Sequence, residues 1–340
     1  MGKRPPTIYT VADHAGVSIA TVSRVERGHS SVAESTAKRV KASMRLVGYR
    51  PNGAARALAI QQQGAIGLVF PHLSGPYYAG VLQGVEAEAT AHGLNLVIIG
   101  THGRSKAAQL VTALSGRVDG LLVMGRTVGD DVIAALQRQR LPVVVLARPS
   151  VGLADVVRTE NRESARGLAE HLIQHGHRQI AFIGDPASSP DAAERWDGFV
   201  AAHREGGLPI PIRPMVSAFR EVEGRAAALR VLATPARPTA LFCANDEIAM
   251  GAYTAAAELR LSIPTDLAVT GWDDIPVTRF LAPGLTTVRQ PLAEIGAVAA
   301  RLVIERVAGS RKKPVSTVLP TEILIRSSCG CQPQGGTWQR

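Results

Sequence analysis

Short runs that are apolar at every position alternate with longer amphipathic stretches from residue 65 onward. Such runs are typical of strands in a parallel sheet that has helices on both faces. The predicted strands are Ile66–Phe70, Leu94–Ile99, Gly120–Met124, Val143–Leu146, Ile180–Ile183, Ala240–Cys243 and Leu267–Thr270. The predicted helices are Tyr78–His92, Ala165–His175, Asp191–Glu205, Asp246–Arg260 and Leu292–Val307.

Seven predicted strands with their intervening helices are more than one ordinary α/β domain contains. Two α/β lobes are therefore the preferred interpretation, with a ligand cleft between them at the carboxyl ends of the strands. A single barrel of strands and helices is the alternative.

The N-terminal residues 7–48 contain no strand-like run. Three short helices are predicted there, Ile8–Ala15, Ile19–Arg27 and Ala33–Val47. Gly16 suits the turn between the first two, because glycine adopts a left-handed conformation at little cost. Ser18 can cap the second helix by accepting a hydrogen bond from a free backbone N–H. The pattern fits a helix-turn-helix, and an ordinary helical hairpin is the alternative.

A short, weak helix is predicted between the N-terminal segment and the body. Asn52 is a suitable N-cap for a helix that ends at Ala59, and Gln61–Gly64 has the composition of a linker. A helix of this length is marginal alone in water, and Gly53 weakens it further. We expect this helix to become ordered only when a partner packs against it.

The net charge is +10 and the isoelectric point is about 10.1, which suits a polyanionic partner. Residues 1–60 contain ten Lys or Arg and three acids, so this part carries +7 of the total. A basic end on a nearly neutral body is typical of a module that contacts phosphates. Apolar residues make up 46% of the chain, which excludes a disordered protein.

The cysteines predict neither a disulfide scaffold nor a metal site. Cys243 lies in an apolar run and is expected to be a small buried hydrophobe. Cys329 and Cys331 have no further ligands near them in the sequence.

The histidines resemble a metal cluster only in part. His171 and His175 share a helix face, whereas His177 lies past the expected helix end, and no zincin carboxylate follows. We expect no metal and no cofactor.

No apolar run is long enough to span a membrane, and the N-terminus lacks the apolar stretch of a signal peptide. A cytoplasmic location is expected. No nucleophile elbow, phosphate loop or dinucleotide-binding glycine motif follows a strand, so we expect no catalysis.

Several long stretches carry a specific resemblance: "VADHAGVSIATVSRV", "SSVAESTAKRVKASMRLVGYRPNGAARAL", "EHLIQHGHRQIAFIG", "FCANDEIAMGAYTAAAELRLSIPTDLAVTGWDD" and "LTTVRQPLAEIG". They resemble the lactose-repressor (LacI/GalR) family of bacterial transcription regulators, over roughly residues 7–328. The resemblance implies an all-α helix-turn-helix head and an α/β two-lobed body of the periplasmic-binding-protein type. The implied boundaries are 1–51 for the head, 52–63 for a hinge helix and linker, 64–330 for the body and 331–340 for a tail.

The resemblance assigns the reading of operator bases to Ile19, Ala20 and Arg24. Arg24 can donate two hydrogen bonds to guanine, whereas Ile19 and Ala20 offer only apolar contact to a thymine methyl. Contacts that position the helix on the DNA backbone are assigned to Thr7, Ser18, Thr21 and Ser23.

One departure from the family lies at Glu26-Arg27-Gly28, where relatives have an apolar residue and then asparagine ahead of the glycine. Glu26 near DNA is unfavourable unless it pairs with Arg27 or Lys38. Arg27 is expected to replace the asparagine as a phosphate contact, with altered packing or operator choice.

Residues 51–58 match the hinge helix of the family, which places Asn52, Ala55 and Leu58 at the DNA. Leu58 resembles the apolar wedge that kinks the duplex from the minor groove. The alternative is that Leu58 packs against its own body.

Three polar positions match residues that bind the effector in sugar-responsive members of the family: Arg195, Asn245 and Asp273. Each is expected at the end of a strand or the start of a helix. A planar fork of donors, an amide and a carboxylate suit a polyhydroxylated ligand. The alternative is that Asn245 and Asp273 are only helix caps and that Arg195 is a surface charge.

Other positions near the effector in relatives are Tyr77, Tyr78, Thr159, Phe219 and Leu292. Phe219 can stack on a sugar face. Ala147 replaces an aspartate that many relatives have, so the sugar specificity of a relative cannot be transferred to this chain.

The resemblance thus implies a homodimeric repressor that reads a pseudo-palindromic operator under the control of a small molecule. The effector is expected to be a sugar or sugar derivative, acting as inducer or corepressor. A nucleoside or purine-type corepressor is the alternative. A sugar-modifying enzyme with a DNA-binding head and a transport binding protein are less favoured. The tail has no leucine heptads, which favours a dimer over a tetramer.

We predict that Leu58→Ala weakens operator binding and reduces DNA bending, because the wedge loses its apolar bulk. Affinity for the effector should be nearly unchanged. Bending is measured by gel mobility on circularly permuted operator fragments. Unaltered bending would contradict the wedge role.

Overall fold

The computed structural model describes residues 6–26, 31–49, 63–101, 105–210 and 213–331. The chain divides into two compact units, Met1–Gln63 and Gly64–Arg340. The expected DNA contacts Arg27, Asn52, Ala55 and Leu58 lie outside the described residues, as does the tail beyond Cys331.

The N-terminal unit contains the helices α1 (Ile8–Ala15), α2 (Ile19–Glu26) and α3 (Glu34–Leu46). Each helix contributes an apolar side chain that is fully buried: Val11, Val22 and Val40. Gly16 has φ 63° and ψ 42°, the left-handed conformation that the turn requires. The predicted helix-turn-helix is confirmed.

Two side-chain hydrogen bonds fasten α3 across the first helix. Arg39 Nε donates to the carbonyl oxygen of Ala15 over 3.0 Å, which satisfies a carbonyl at the helix end. His14 Nδ1 lies 3.0 Å from Ser43 Oγ, and Ser43 is buried. These bonds fix the frame on which α2 is presented.

The first lobe of the body is built on six parallel strands in the order β10-β5-β4-β3-β1-β2. The strands are β1 (Ala65–Phe70), β2 (Asn95–Gly100), β3 (Gly120–Met124), β4 (Val143–Leu146), β5 (Asp155–Thr159) and β10 (Ser316–Leu319). Its helices are α4 (Pro76–Ala91), α5 (Ala107–Ser115), α6 (Asp130–Arg138) and α11 (Leu292–Val307).

Alternate side chains of the central strands enter two separate cores, as a sheet covered on both faces requires. Ile66, Leu68 and Phe70 of β1 pack on the face covered by α4 and α11. Val69 packs on the opposite face with α5 and α6. The wholly apolar runs in the sequence therefore correspond to strands buried on both sides.

The pair α4 and α11 approaches backbone to backbone. A Cβ atom on Gly84 would lie 1.7 Å from the carbonyl oxygen of Ala293, and one on Gly296 would lie 2.0 Å from that of Val81. No side chain fits at either position, so glycine at both sites permits this contact. The contact holds α11, which comes late in the chain, against the first lobe.

The second lobe has a parallel sheet in the order β6-β7-β8 and an antiparallel pair of β9 and β11. These strands are β6 (Ile180–Ile183), β7 (Ala240–Cys243), β8 (Ala268–Thr270), β9 (Thr287–Arg289) and β11 (Glu322–Leu324). The helices are α7 (Arg162–Gln174), α8 (Pro190–Glu205), α9 (Glu221–Leu232) and α10 (Asp246–Glu258), with short 3-10 turns at Pro276–Phe280 and Ser327–Cys329. Two sheets with separate cores confirm two lobes and rule out the single barrel.

Within the described body, the chain passes between the lobes three times: from β5 to α7, from β9 to α11 and from β10 to β11. Each passage spans only a few residues, so the lobes are joined at short crossings. Thr159, one of the residues predicted to lie near the effector, ends β5 and so lies at the first of these crossings.

Several elements were missed in the sequence: β5, β9, β10, β11, α5, α6 and α9. In β5 the acidic Asp155 interrupts the apolar pattern, yet it is fully buried. Arg311 holds both of its carboxylate oxygens, at 2.6 and 3.0 Å. This pairing offsets the cost of burying the charge and depends on a residue distant in the chain.

Candidate functional site

The exposed face of α2 carries the residues predicted to read DNA. Ile19 is 39% exposed, and Ala20 and Arg24 are exposed. Val22 and Val25 of the same helix are buried in the head. The helix therefore presents one arginine and two apolar side chains while its other face holds it in place.

Two hydroxyl residues of the head, Thr7 and Ser18, lie at the starts of helices. Ser18 Oγ accepts a hydrogen bond from the backbone N–H of Thr21 over 3.2 Å and lies 2.9 Å from Thr21 Oγ1. This confirms Ser18 as the cap of α2. The backbone N–H of Thr7 donates to Thr10 Oγ1 over 3.2 Å, and Ser23 is half-buried. Their expected contacts with DNA stay predictions.

The acidic departure near the end of α2 has a different setting from the one expected. Lys38, a candidate partner of Glu26, forms an ion pair with Glu34 on its own helix at 2.8 Å. Glu26 instead lies near Tyr49, whose pKa is raised first by burial and then by the charge of Glu26. The proposed pairing of Glu26 with Lys38 was wrong.

In the body, Gln290 joins the two lobes by hydrogen bonds. Its Oε1 accepts from Thr159 Oγ1 at the end of β5 over 2.7 Å. Its Nε2 donates to Asp273 Oδ1, beyond β8, over 2.6 Å. All three residues are buried. Two expected effector residues, Thr159 and Asp273, are thus connected through a third.

Arg195 is buried, with 5% of its surface exposed, so the reading of it as a surface charge was wrong. It lies within α8 rather than at its start. Its Nε donates to Asn161 Oδ1 over 2.8 Å and its Nη1 to the carbonyl of Ala244 over 2.7 Å. The guanidinium carbon lies 4.4 Å from the centre of the Trp272 ring, a cation–π contact.

Asn245 has the capping role that the alternative reading gave it. Its side-chain oxygen accepts from the backbone N–H of Ile248 over 3.0 Å at the start of α10. Its side-chain nitrogen donates to the carbonyl of Phe219 over 3.1 Å. The amide therefore positions the segment that carries the Phe219 ring, which packs partly buried against the second-lobe core.

On the first lobe, the predicted effector residues Tyr77 and Tyr78 lie at the start of α4. Tyr77 and Tyr78 meet edge to face, with ring centres 5.4 Å apart. Loss of water around the Tyr77 phenol, and then the charges of Asp191 and Asp273, raise its pKa well above the usual value. Tyr77 therefore lies near acids of the second lobe. Leu292, the first residue of α11, packs against Gly80 of α4.

The acids of this region are costly to bury. Burial raises the pKa of Asp273 to about 7, against the opposing effects of the Arg195 charge and the Gln290 hydrogen bond. Burial likewise raises the pKa of Asp191, and it raises that of Asp246 well above the usual value. Asp273 also has φ 116°, a strained conformation for a residue with a side chain. Strain and perturbed carboxyls are typical of functional sites.

Sequence reasoning missed Gln290, Asn161 and Asp191. Gln290 had a signal, since it is a polar residue between a strand and the proline that starts a helix. Asn161 and Asp191 had none, because their role depends on the position of Arg195. Asn161 Nδ2 also donates to the backbone carbonyl of Thr159 over 3.1 Å, which extends the network to β5.

Comparison with known protein families finds two matches in this chain. Residues 7–52 match the family described as bacterial regulatory proteins, lacI family. Residues 169–329 match the periplasmic binding protein-like domain.

Individual relatives match over nearly the whole chain. Catabolite control protein A of Priestia megaterium is 33% identical over 327 residues, which are 95% of this chain and 98% of that protein. The lac repressor dimer bound to operator and an anti-inducer is 27% identical, with a TM-score of 0.82 over 96% of this chain and 99% of that one. The CelR–cellobiose complex is 29% identical, with a TM-score of 0.73 over 95% and 99%.

Among the described residues, every helix is too short or too polar to cross a membrane. The exposed face of α2, the two-lobed body and the full-length relatives agree with the resemblance seen in the sequence. The chain belongs to the LacI family of bacterial regulatory proteins and is a DNA-binding transcriptional regulator.

Proposed function

We propose that this chain is a homodimeric repressor whose affinity for a pseudo-palindromic operator is controlled by a sugar bound between the lobes of the body. The observation that carries the proposal is a buried network that spans both lobes: it runs from Asp273 through Gln290 to Thr159, and through Asn161 to Arg195. A ligand bound there contacts both lobes and can change how they meet.

Reading of the operator rests on α2. The Arg24 side chain is exposed, and a guanidinium can donate two hydrogen bonds to guanine in the major groove. Ile19 and Ala20 discriminate by apolar contact and by excluding bulk. Thr7, Ser18, Thr21, Ser23 and Arg27 hold the helix against the DNA backbone.

A dimer is supported by the lac repressor, which binds operator as a dimer. Two heads related by a two-fold axis read two half-sites, and the hinge residues Asn52, Ala55 and Leu58 meet the minor groove between them. We place the protein in the cytoplasm, where its DNA lies, and assign it no catalytic activity.

A sugar suits the chemistry of the cleft. Arg195 supplies donors, Asp273 accepts from hydroxyls, and the rings of Tyr77 and Phe219 offer apolar faces for a sugar ring. The indole N–H of Trp272 is buried with no hydrogen-bond partner among the described residues, and a ligand oxygen could accept from it. The CelR–cellobiose complex supports a sugar ligand for this fold.

Control of DNA binding follows from competition at Asp273. A sugar hydroxyl that donates to Asp273 competes with the Gln290 amide, which otherwise ties Asp273 to Thr159 of the first lobe. A ligand shifts an equilibrium only by its differential affinity for the two states. The sugar binds more tightly to the state in which the hydrogen bond between Gln290 and Asp273 is broken. Sugar binding therefore changes the arrangement of the lobes and the affinity for operator.

We predict that Arg24→Ala weakens binding to operator DNA about 5- to 150-fold, because a guanine contact with two hydrogen bonds is worth about 1–3 kcal/mol. Fluorescence anisotropy with labelled operator measures the loss. Arg117→Ala, which removes the same charge from an exposed site on the body, should leave affinity nearly unchanged. Equal losses in both variants would show a charge effect without base reading.

We predict that a sugar raises the melting temperature of the full chain, since a ligand that binds only the folded state stabilises it. The screen contains mono- and disaccharides, including cellobiose and ribose, with nucleosides and purines as a separate arm. Asp273→Asn should bind the active sugar about tenfold or more weakly, because one of the two carboxyl oxygens is replaced by an NH2 group that cannot accept a hydrogen bond. The exposed Asp197→Asn on α8 is the control. Stabilisation only by a nucleoside or purine would overturn the sugar assignment.

We predict that Asp273 lowers the free energy of unfolding as pH rises from about 4 to about 7. The folded state keeps the proton up to a pKa of about 7, whereas the unfolded chain releases it near about pH 4. Across that window the unfolded state binds fewer protons, so stability falls with pH.

Asp273→Asn should remove this dependence, and its stability relative to the wild type should rise by up to about 1.4 kcal/mol per pH unit. Urea unfolding at a series of pH values measures the difference. Asp197→Asn should parallel the wild type. An Asp273→Asn curve that also runs parallel would rule out a raised carboxyl pKa.

A further inference from the structure

Two histidines and two cysteines that are far apart in the sequence meet at the C-terminal end of α7. Cys331 Sγ lies 3.2 Å from His175 Nε2 and 3.4 Å from His171 Nε2. The nitrogen and sulfur atoms of these three residues all lie within 4.8 Å of one another. Cys329 Sγ lies 3.3 Å from the same nitrogen of His171.

The fold explains why the sequence did not reveal this cluster. His171 and His175 are four residues apart, and the end of α7 brings their rings to 4.5 Å between centres. The cysteines belong to the C-terminal segment, residues 327–331, in which Gly330 turns the chain between them with φ 91°. Judged segment by segment, neither pair had enough ligands for a metal.

The C-terminal segment is held firmly in place. Ser328 is fully buried, its Oγ accepts from the backbone N–H of Thr286 over 2.8 Å, and it donates to the carbonyl of Val269 over 2.6 Å. The position of Cys331, three residues later, is therefore set by the second-lobe core. A ligand set that is fixed before the metal arrives loses little entropy on binding.

The distances fit a tetrahedral metal site. Bonds of about 2.3 Å to sulfur and about 2.0–2.1 Å to nitrogen at tetrahedral angles separate sulfur from nitrogen by about 3.5 Å. The sulfur–nitrogen distances of 3.2 and 3.4 Å need only a small expansion to admit the ion. Imidazole with thiolate selects zinc-type ions over calcium or magnesium, which prefer oxygen.

We propose that His171, His175 and Cys331 bind a zinc ion that ties the C-terminal segment to α7. Cys329 lies beside this set but outside it, because its sulfur is hydrogen-bonded to Thr286 Oγ1 over 3.1 Å. Water would occupy the remaining tetrahedral position. Binding releases the thiol proton of Cys331, since the thiolate is the ligand. The site lies within the second lobe and does not depend on the proposed effector.

The test uses the untagged full chain under a reductant that carries no thiol. Dialysed wild-type protein should retain one zinc per chain by elemental analysis, and its melting temperature should fall when a chelator removes the metal. Cobalt added to the metal-free protein should give a sulfur-to-cobalt charge-transfer band in the near ultraviolet.

Cys331→Ser should lose the charge-transfer band, and His175→Ala, at an exposed position, should bind cobalt at least tenfold more weakly. His177→Ala is the matched control, because His177 Nδ1 lies 2.9 Å from Thr239 Oγ1, outside the cluster. Its cobalt spectrum should equal that of the wild type. No bound zinc and no cobalt band in the wild type, or equal losses in all three variants, would overturn the proposal.

Discussion

The side-chain amide of Gln290 forms hydrogen bonds with both lobes of the body, beside an ion pair between Arg158 of the first lobe and Glu194 of the second. It accepts from Thr159 on the first lobe and donates to Asp273 on the second, and it lies in a crossing of the chain itself. An amide is suited to this position because it carries both an acceptor and donors. Breaking the connection leaves a buried hydroxyl and a buried carboxyl without partners, at a cost of about 1–3 kcal/mol each. Whatever competes for Asp273 therefore acts on the arrangement of both lobes.

Two buried aspartates of the body show different uses of charge. Asp155 accepts hydrogen bonds from the Arg311 guanidinium on both oxygens, and Arg306 Nε lies 3.7 Å away. The backbone N–H of Val315, just before β10, also donates to Asp155 over 2.7 Å, which ties β5 to β10. No guanidinium donates to Asp273 in the same way, because the nearby Arg195 donates its hydrogen bonds to Asn161 and Ala244. A carboxyl that is buried, strained and incompletely neutralised destabilises the fold locally. Such a cost is typical of a site kept for binding.

Much of the fold could be predicted because its strands are apolar at every position, as in β3 and β4, and because α11 has a clear helical period. The pattern failed where burial depends on a distant partner. The strand β5 was not predicted because Asp155 interrupts its apolar pattern. The Arg311 partner that allows this acid to be buried reaches it only in the folded chain. Resemblance pointed to Arg195 and Asp273, but Gln290 is defined by what lies on both sides of it. The cluster at His171 was missed for the same reason, since the two cysteines that contact it follow 158 and 160 residues later.

In the proposed mechanism, the sugar and the operator bind to different arrangements of one molecule. The decisive experiment measures operator affinity with and without saturating sugar, and sugar affinity with and without saturating operator, on the same full chain. Linkage requires the two ratios to be equal, and couplings of this kind are typically about 5- to 150-fold. We predict equal ratios in that range, and a Gln290→Ala variant whose ratios fall toward unity. A sugar that binds with the same affinity whether or not operator is present would contradict the account.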